Sequence, residues 1–144
     1  MSCTRESKFP LTEGHLNGPG KRIWFNALAS GISKTNQPSA TPAVWAAGLS
    51  HALSVLYSYT AARRPSRTLV DPLSAFTESF SRSNGIALKA AVVDATKAME
   101  QTRYLQAKVG RAAYVEQEEL EKAQVPDPGA YGVVKILQGL VSVL

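Results

Sequence analysis

The chain is poor in the residues from which covalent and metal frameworks are built. Of its 144 residues one is cysteine, Cys3, and two are histidine, His15 and His51. A single thiol excludes an internal disulfide framework and a Cys-based zinc cage, and two histidines argue against a His-rich metal site. Aspartate is scarce as well: Asp71, Asp94 and Asp127 are the only three. The longest apolar run, Ala43–Leu49, is far shorter than the roughly 20 residues of a helical membrane span. The first thirty residues mix charge with Pro10, Gly14, Gly18 and Pro19, and offer no apolar core of the kind a secretion signal carries. A soluble, cytoplasmic chain without a membrane partner is therefore expected.

What remains is an ordinary globular composition, 44% apolar and 8% aromatic, which argues against disorder over the whole length and fits one domain. The net charge of +5 falls entirely before residue 85. Its densest cluster is Arg63, Arg64 and Arg67, around Pro65. Guanidinium forks match phosphate oxygens, so a phosphate-facing patch is one reading and a solvated loop the other. Nucleic acid is not the expected partner, because no aromatics interleave with the arginines and no helix-turn-helix or zinc-finger spacing occurs.

Apolar spacing predicts helices throughout. After an irregular stretch over 1–20, Ile23–Ile32 reads as a short buried helix, and Ser33–Ala40 as a polar linker. Thr41-Pro42 is an N-cap followed by proline at the first helical position. Trp45, Leu49, Ala52, Leu53 and Leu56 then mark the apolar face of a helix reaching Tyr59. A helix over Thr68–Ser81 turns Leu69, Leu73, Phe76 and Phe80 inward. Beyond the break at Ser83-Asn84-Gly85, Leu88, Val92, Ala95, Met99 and Thr102 mark a long helix from Ile86 to Lys108, with Lys97–Glu100 and Glu100–Arg103 spaced for side-chain pairs. Gly110 is placed to stop it. A short acidic helix follows over Tyr114–Ala123. Asp127-Pro128 opens the last helix, with Val133, Ile136, Leu137, Leu140 and Leu144 as a wide apolar stripe. The predicted fold class is all-α, an antiparallel set of about five helices. The expected division is a mainly irregular segment over 1–40 and a helical domain over 41–144.

Three segments stand out: Tyr59–Asp71, Gly110-Arg111-Ala112-Ala113-Tyr114, and Asp127-Pro128-Gly129-Ala130. Each alone has a plain structural explanation. Asp127 can cap a helix, Gly110 end one, Arg111 pair with a nearby Glu, and Thr68 serve as an N-cap. Together, in order, they resemble the nucleotide-binding domain of dihydroxyacetone (glycerone) kinases. That is the C-terminal domain of the ATP-dependent enzymes and the ADP-binding L subunit of the phosphotransferase-dependent ones. The family's Gly-Asp-Arg-Thr-Met-type stretch reads Pro65-Ser66-Arg67-Thr68-Leu69 here. Its Gly-Arg-Ala-Ser-Tyr is Gly110–Tyr114, and its Asp-Pro-Gly-Ala is Asp127–Ala130.

The resemblance implies a helical barrel with ATP or ADP held at one end by inter-helix loops. It implies a ketotriose, dihydroxyacetone, on a partner kinase domain. The residues it assigns to nucleotide are Thr60, Thr68, Leu69, Arg111, Asp127, Pro128 and Gly129. Thr68 would donate a hydroxyl bond, Leu69 face the adenine, and Arg111 reach the phosphates. Asp127-Pro128-Gly129 would open a helix whose N-terminal amides favour acceptors, with Gly129 allowing close approach. Thr60 stands where the family has a loop glycine.

The chain also departs from the family pattern. The family holds Mg2+ on a Gly-Asp-Gly-Asp-type motif, and here no aspartate precedes Asp71. A Gly-Thr-Ser-Gly-type loop is replaced by Gly14-His15-Leu16-Asn17-Gly18, and Ala113 replaces a serine. The expectation is a domain cut short at its metal-binding start and inactive alone, with exposed apolar faces prone to self-association. The alternative is a catalytically inactive helical interaction module, or a gene fragment that has lost the metal site.

Overall fold

The computed structural model describes residues 19–107 and 117–144. Among these every regular element is helical: α1 (Pro19–Lys34), α2 (Pro42–Tyr59), α3 (Val70–Arg82), α4 (Leu88–Gln101), α5 (Gln117–Ala123) and α6 (Pro128–Ser142), with a 3-10 turn at Thr102–Tyr104. The all-α class expected from the spacing is the class observed.

Two helix starts follow directly from local chemistry. Thr41 is extended, and its Oγ1 accepts from Val44 N at 3.4 Å with Pro42 at the first helical position. Asp127 opens α6 in the same way, its Oδ2 accepting from Ala130 N at 2.8 Å. In both, a side-chain oxygen satisfies an amide that has no partner within the helix, and proline occupies a position where no donor is needed.

Other boundaries differ from expectation. The helix expected over Ile23–Ile32 runs from Pro19 to Lys34, because proline is tolerated in a first turn. Its Trp24, Ala27 and Leu28 belong to the same core as α2–α6. α3 begins at Val70, not Thr68, since Thr68 faces a side-chain carboxylate described below. The long helix expected to Lys108 stops at Gln101 and tightens into the 3-10 turn. There Thr102 Oγ1 donates back to Met99 O at 2.6 Å, and the carbonyls of the next residues are engaged from outside the helix. Of the acidic helix expected over Tyr114–Ala123, Gln117–Ala123 is seen; its first residues, like Gly110, lie outside the described residues.

The helices α1, α2, α3, α4 and α6 run antiparallel, each to the next in this order. Gly31 of α1 lies against Gly48 and His51 of α2. Ser81 Oγ in the last turn of α3 is 2.9 Å from Ser50 Oγ of α2. Ser79 Oγ donates to Asp94 Oδ2 of α4 at 2.7 Å. Gln138 late in α6 meets Thr96 of α4, while Asp127 just before α6 meets Thr102 just after α4. α3 packs against α2, α4 and α6. Leu69, Leu73, Phe76 and Phe80 are all buried as expected. Gly85, at φ +81°, closes the α3–α4 turn by donating to Phe80 O at 2.9 Å.

Some expected core residues are exposed. Trp45 is 42% exposed. The register set by Gly31–Gly48 and Ser81–Ser50 puts it level with the ends of α1 and α3, where neither covers it. In α6, Val133 and Leu137 are buried, but Ile136 and Leu140 are not, and Leu144 lies exposed beyond the helix end. Among the described residues α6 packs mainly on α3 and α4, and these cover one stripe of it. Lys97 lies beside Asp94 at 3.8 Å; Arg103 pairs with Glu100 as expected.

Candidate functional site

The antiparallel order brings four helix ends to one end of the bundle: the C-termini of α2 and α4 and the N-termini of α3 and α6. The first two expose carbonyls and carry partial negative charge; the other two expose amides and carry partial positive charge. Each end meets a side chain of complementary sign.

Arg63 serves α2. Its Nη1 donates to Thr60 O and Ala62 O, both at 2.8 Å, and its Nη2 to Tyr57 O at 3.1 Å. The guanidinium lies 4.1 Å from the centre of the Tyr57 ring. Thr60 Oγ1, buried, accepts from Ala62 N at 3.0 Å and shapes the turn.

Asp71 serves the start of α3. Its carboxylate is 1% exposed and accepts from Ser66 N at 3.0 Å, Ser66 Oγ at 3.1 Å and Thr68 N at 2.8 Å. Ser66 Oγ and Thr68 Oγ1 are 2.8 Å apart. The Ser66 hydroxyl proton goes to the carboxylate, which can only accept, so Thr68 donates to Ser66. Thr68 Oγ1 also accepts from Val70 N at 3.2 Å. Its one proton is therefore used inside the loop, and toward a ligand Thr68 can offer a lone pair in this arrangement.

Arg67 serves α4. It adopts φ +56°, uncommon for a residue with a side chain, and is 2% exposed. Nη1 donates to Thr102 O at 2.6 Å, Arg103 O at 3.2 Å and Leu105 O at 3.1 Å, and Nη2 to Val125 O at 3.1 Å. Two of the three clustered arginines are thus committed to the backbone, and only Arg67 is buried. Arg63 and Arg67 bind backbone carbonyls, and Arg64 stands exposed, 3.9 Å from Glu78, a spacing of little energetic weight in water.

Asp127 serves α6. Besides its bond to Ala130 N, its own amide donates to Thr102 Oγ1 at 2.9 Å. Burial pushes its carboxyl above the ordinary aspartate value, while the amides of Ala130 and Gly129 and the charge of Arg67 pull in the opposite direction. A carboxylate at this position fills the place an anion would take at a helix N-terminus. Acceptance of ligand donors, such as ribose hydroxyls or an exocyclic amine, suits it better than phosphate binding does.

Of the residues that the motifs assign to nucleotide, Thr60, Thr68, Leu69, Asp127, Pro128 and Gly129 stand at this one end. Pro128 is exposed and Gly129 buried. Leu69 is 2% exposed and part of the core, so an adenine would meet it only after local movement. Arg111 and the whole Gly110–Tyr114 segment lie outside the described residues. The sequence reading passed over Asp71, Ser66 and Thr102. A signal for Asp71 existed in Thr68-Leu69-Val70-Asp71, the spacing of a capping box. Thr102 carried no such signal, because its partners lie 25 and 35 positions away.

The described donor set does not fit a magnesium ion. Among the described residues no three His, Cys, Asp or Glu side chains come together as metal ligands. Asp71 and Asp127 are bonded to amides, and Asp94 accepts from Ser79 within the helical body. Among the described residues no helix is long and apolar enough to cross a membrane.

Residues 19–142 match the family model described as the DAK2 domain. Dihydroxyacetone kinase 2 of Saccharomyces cerevisiae is 38% identical over 133 residues, covering 90% of this chain and 22% of that protein. Dihydroxyacetone kinase of Pichia angusta is 38% identical over 134 residues, covering 88% of this chain and 22% of that protein. Human triokinase/FMN cyclase is 32% identical over 138 residues, covering 91% and 23% respectively. The chain thus spans under a quarter of the length of these curated relatives. No solved structure matches it. Because the family match runs from the first residue of α1 to the last of α6, the chain belongs to the DAK2 domain family.

Proposed function

We propose that this chain is an adenine-nucleotide-binding domain of dihydroxyacetone kinase type, of the kind found C-terminally in the ATP-dependent enzymes and as the ADP-binding L subunit. It would act as part of a phosphotransferase whose dihydroxyacetone is held by a separate kinase domain. The names of its relatives support the reaction class. The observation that carries the nucleotide reading is the meeting of two motif segments that are 58 positions apart in sequence: Arg67, beside Thr68, donates to Val125 O, two residues before Asp127.

In this reading Thr68 and Asp127 accept hydrogen bonds from the nucleoside, and Gly129 lets it approach α6. Pro128 forms the exposed edge of the site, Thr60 shapes the adjoining turn, and Leu69 gives apolar contact once the base displaces its cover. Arg111 supplies charge to the phosphates. Magnesium would ordinarily bridge and neutralise those phosphates. Since the described donors do not fit it, no transfer step is assigned to this chain alone.

Calorimetric titration with ADP, with and without Mg2+, tests the proposal. Saturable binding is expected, together with no dihydroxyacetone phosphate formed from ATP, Mg2+ and dihydroxyacetone by the isolated chain. Absence of binding at millimolar ADP would refute the nucleotide reading. It would favour a helical interaction module, for which the half-exposed Ile136 and Leu140 of α6 provide a surface.

A further inference from the structure

We infer that Arg67 is a positioning residue, whose buried guanidinium sets the spacing of the first and third motif segments and the end of α4 at the proposed nucleotide end of the bundle. The inference rests on the nucleotide reading for its consequence, but not for its geometry. Arg67 belongs to the first motif and directly precedes Thr68. Its Nη1 gathers the carbonyls of Thr102, Arg103 and Leu105, at the end of α4 on the stem leading to Gly110–Tyr114. Its Nη2 takes Val125 O, on the stem leading to Asp127–Ala130. One rigid fork therefore spans the loop that carries it and the two stems that precede the other motifs.

Charge and shape both select arginine for this place. The carbonyls at the end of α4 carry the negative end of that helix, which favours a cation. The guanidinium is planar, always charged and presents its donors in a fixed fork, so it can hold two segments at once. A lysine ammonium is a point donor on a flexible stem and cannot span them. The left-handed backbone at φ +56° turns the side chain into the bundle, a conformation that persists when its surroundings over-determine it. Thr102 repeats the link independently by accepting from Asp127 N.

A purely stabilising arginine would lower stability when replaced, without selective loss of ligand affinity. A positioning arginine gives a different pattern. The test compares the wild-type chain with Arg67→Lys, which keeps charge but not the fork. It adds Arg67→Gly, which suits the left-handed backbone and removes the strut. In the wild type the amides of Asp127 and Ala130 are expected to be protected from hydrogen exchange. Both variants should lose at least tenfold protection there, while amides of Leu56 and Phe76 in the helical body keep theirs. The ADP dissociation constant should rise at least tenfold in chains that still melt cooperatively, and ethylguanidinium should restore affinity to Arg67→Gly but not to Arg67→Lys.

Cooperatively folded variants with ADP affinity within twofold of wild type would overturn the inference. So would unchanged exchange at Asp127 and Ala130, or failure of both variants to fold, which would make Arg67 a determinant of the fold and not of the site. Should the wild type bind no ADP, the nucleotide reading fails by itself, and the exchange pattern still decides whether Arg67 sets the segments.

Discussion

The Asp71 carboxylate offers the sharpest test of how the candidate site is built. It accepts from Ser66 N, Ser66 Oγ and Thr68 N within 3.1 Å while being 1% exposed. Replacing it with Asn leaves one acceptor oxygen and sets an NH2 group against at least one buried donor. Oriented to keep Ser66 Oγ and Thr68 N, the amide oxygen abandons Ser66 N. A buried donor without a partner costs about 1–3 kcal/mol, and the surviving bonds become weaker neutral ones. Asp71→Asn should therefore destabilise the chain by about 2–3 kcal/mol. Asp71→Ala, which abandons all three donors, should cost about 4 kcal/mol, short of simple addition because the loop can admit water. Against a typical domain stability of about 5–15 kcal/mol these are large effects. Urea unfolding followed by far-UV circular dichroism measures them as a shift in midpoint at constant slope. An Asn variant within about 0.5 kcal/mol of wild type, the spread of neutral surface changes, would refute the assignment of Asp71 as the organiser of the first motif.

Other expectations follow from the same structure. Burial raises the Asp127 carboxyl in the folded chain, so the folded state holds that proton more tightly than the unfolded one. Its contribution to stability is then largest in acid and falls as pH rises from the ordinary aspartate value through the folded one. Asp127→Asn keeps an acceptor for Ala130 N without the charge. It should equal or exceed wild-type stability at pH 7 and lose that advantage on acidification through this window, in melts recorded across the range. Asp127→Ala should cost about 1 kcal/mol through loss of the cap. At Gly85, φ is +81° and an added Cβ would fall 2.1 Å from Pro42 O, a backbone atom. Gly85→Ala should therefore cost about 3 kcal/mol and lower Tm by roughly 10 °C in thermal unfolding.

Much of the fold was legible from short-range chemistry. The starts of α2 and α6 came from Thr41-Pro42 and Asp127-Pro128, whose capping geometry involves only neighbouring residues. The inward face of α3 followed from spacing, because Leu69, Leu73, Phe76 and Phe80 recur at helical period. Where reading failed, the deciding partner lay elsewhere in the chain. The C-terminus of α4 could not be placed, since the carbonyls of Thr102, Arg103 and Leu105 are drawn off by Arg67. Trp45, Ile136 and Leu140 have apolar spacing, but exposure depends on where neighbouring helices end and which faces they cover.

The candidate site divides along the same line. Sequence alone determined which segments carry the family resemblance, because motif order and spacing are properties of the chain. It also determined how α6 opens and which residues the resemblance assigns to nucleotide. Only the tertiary structure decided what the charges do. The antiparallel packing collects two carbonyl-rich and two amide-rich helix ends at one place, and charges brought there lower their energy by meeting ends of opposite sign. Arg63 and Arg67 are drawn to the first pair and Asp71 and Asp127 to the second. Two arginines of a cluster that reads in sequence as either a phosphate-facing patch or a solvated loop thereby become part of the scaffold.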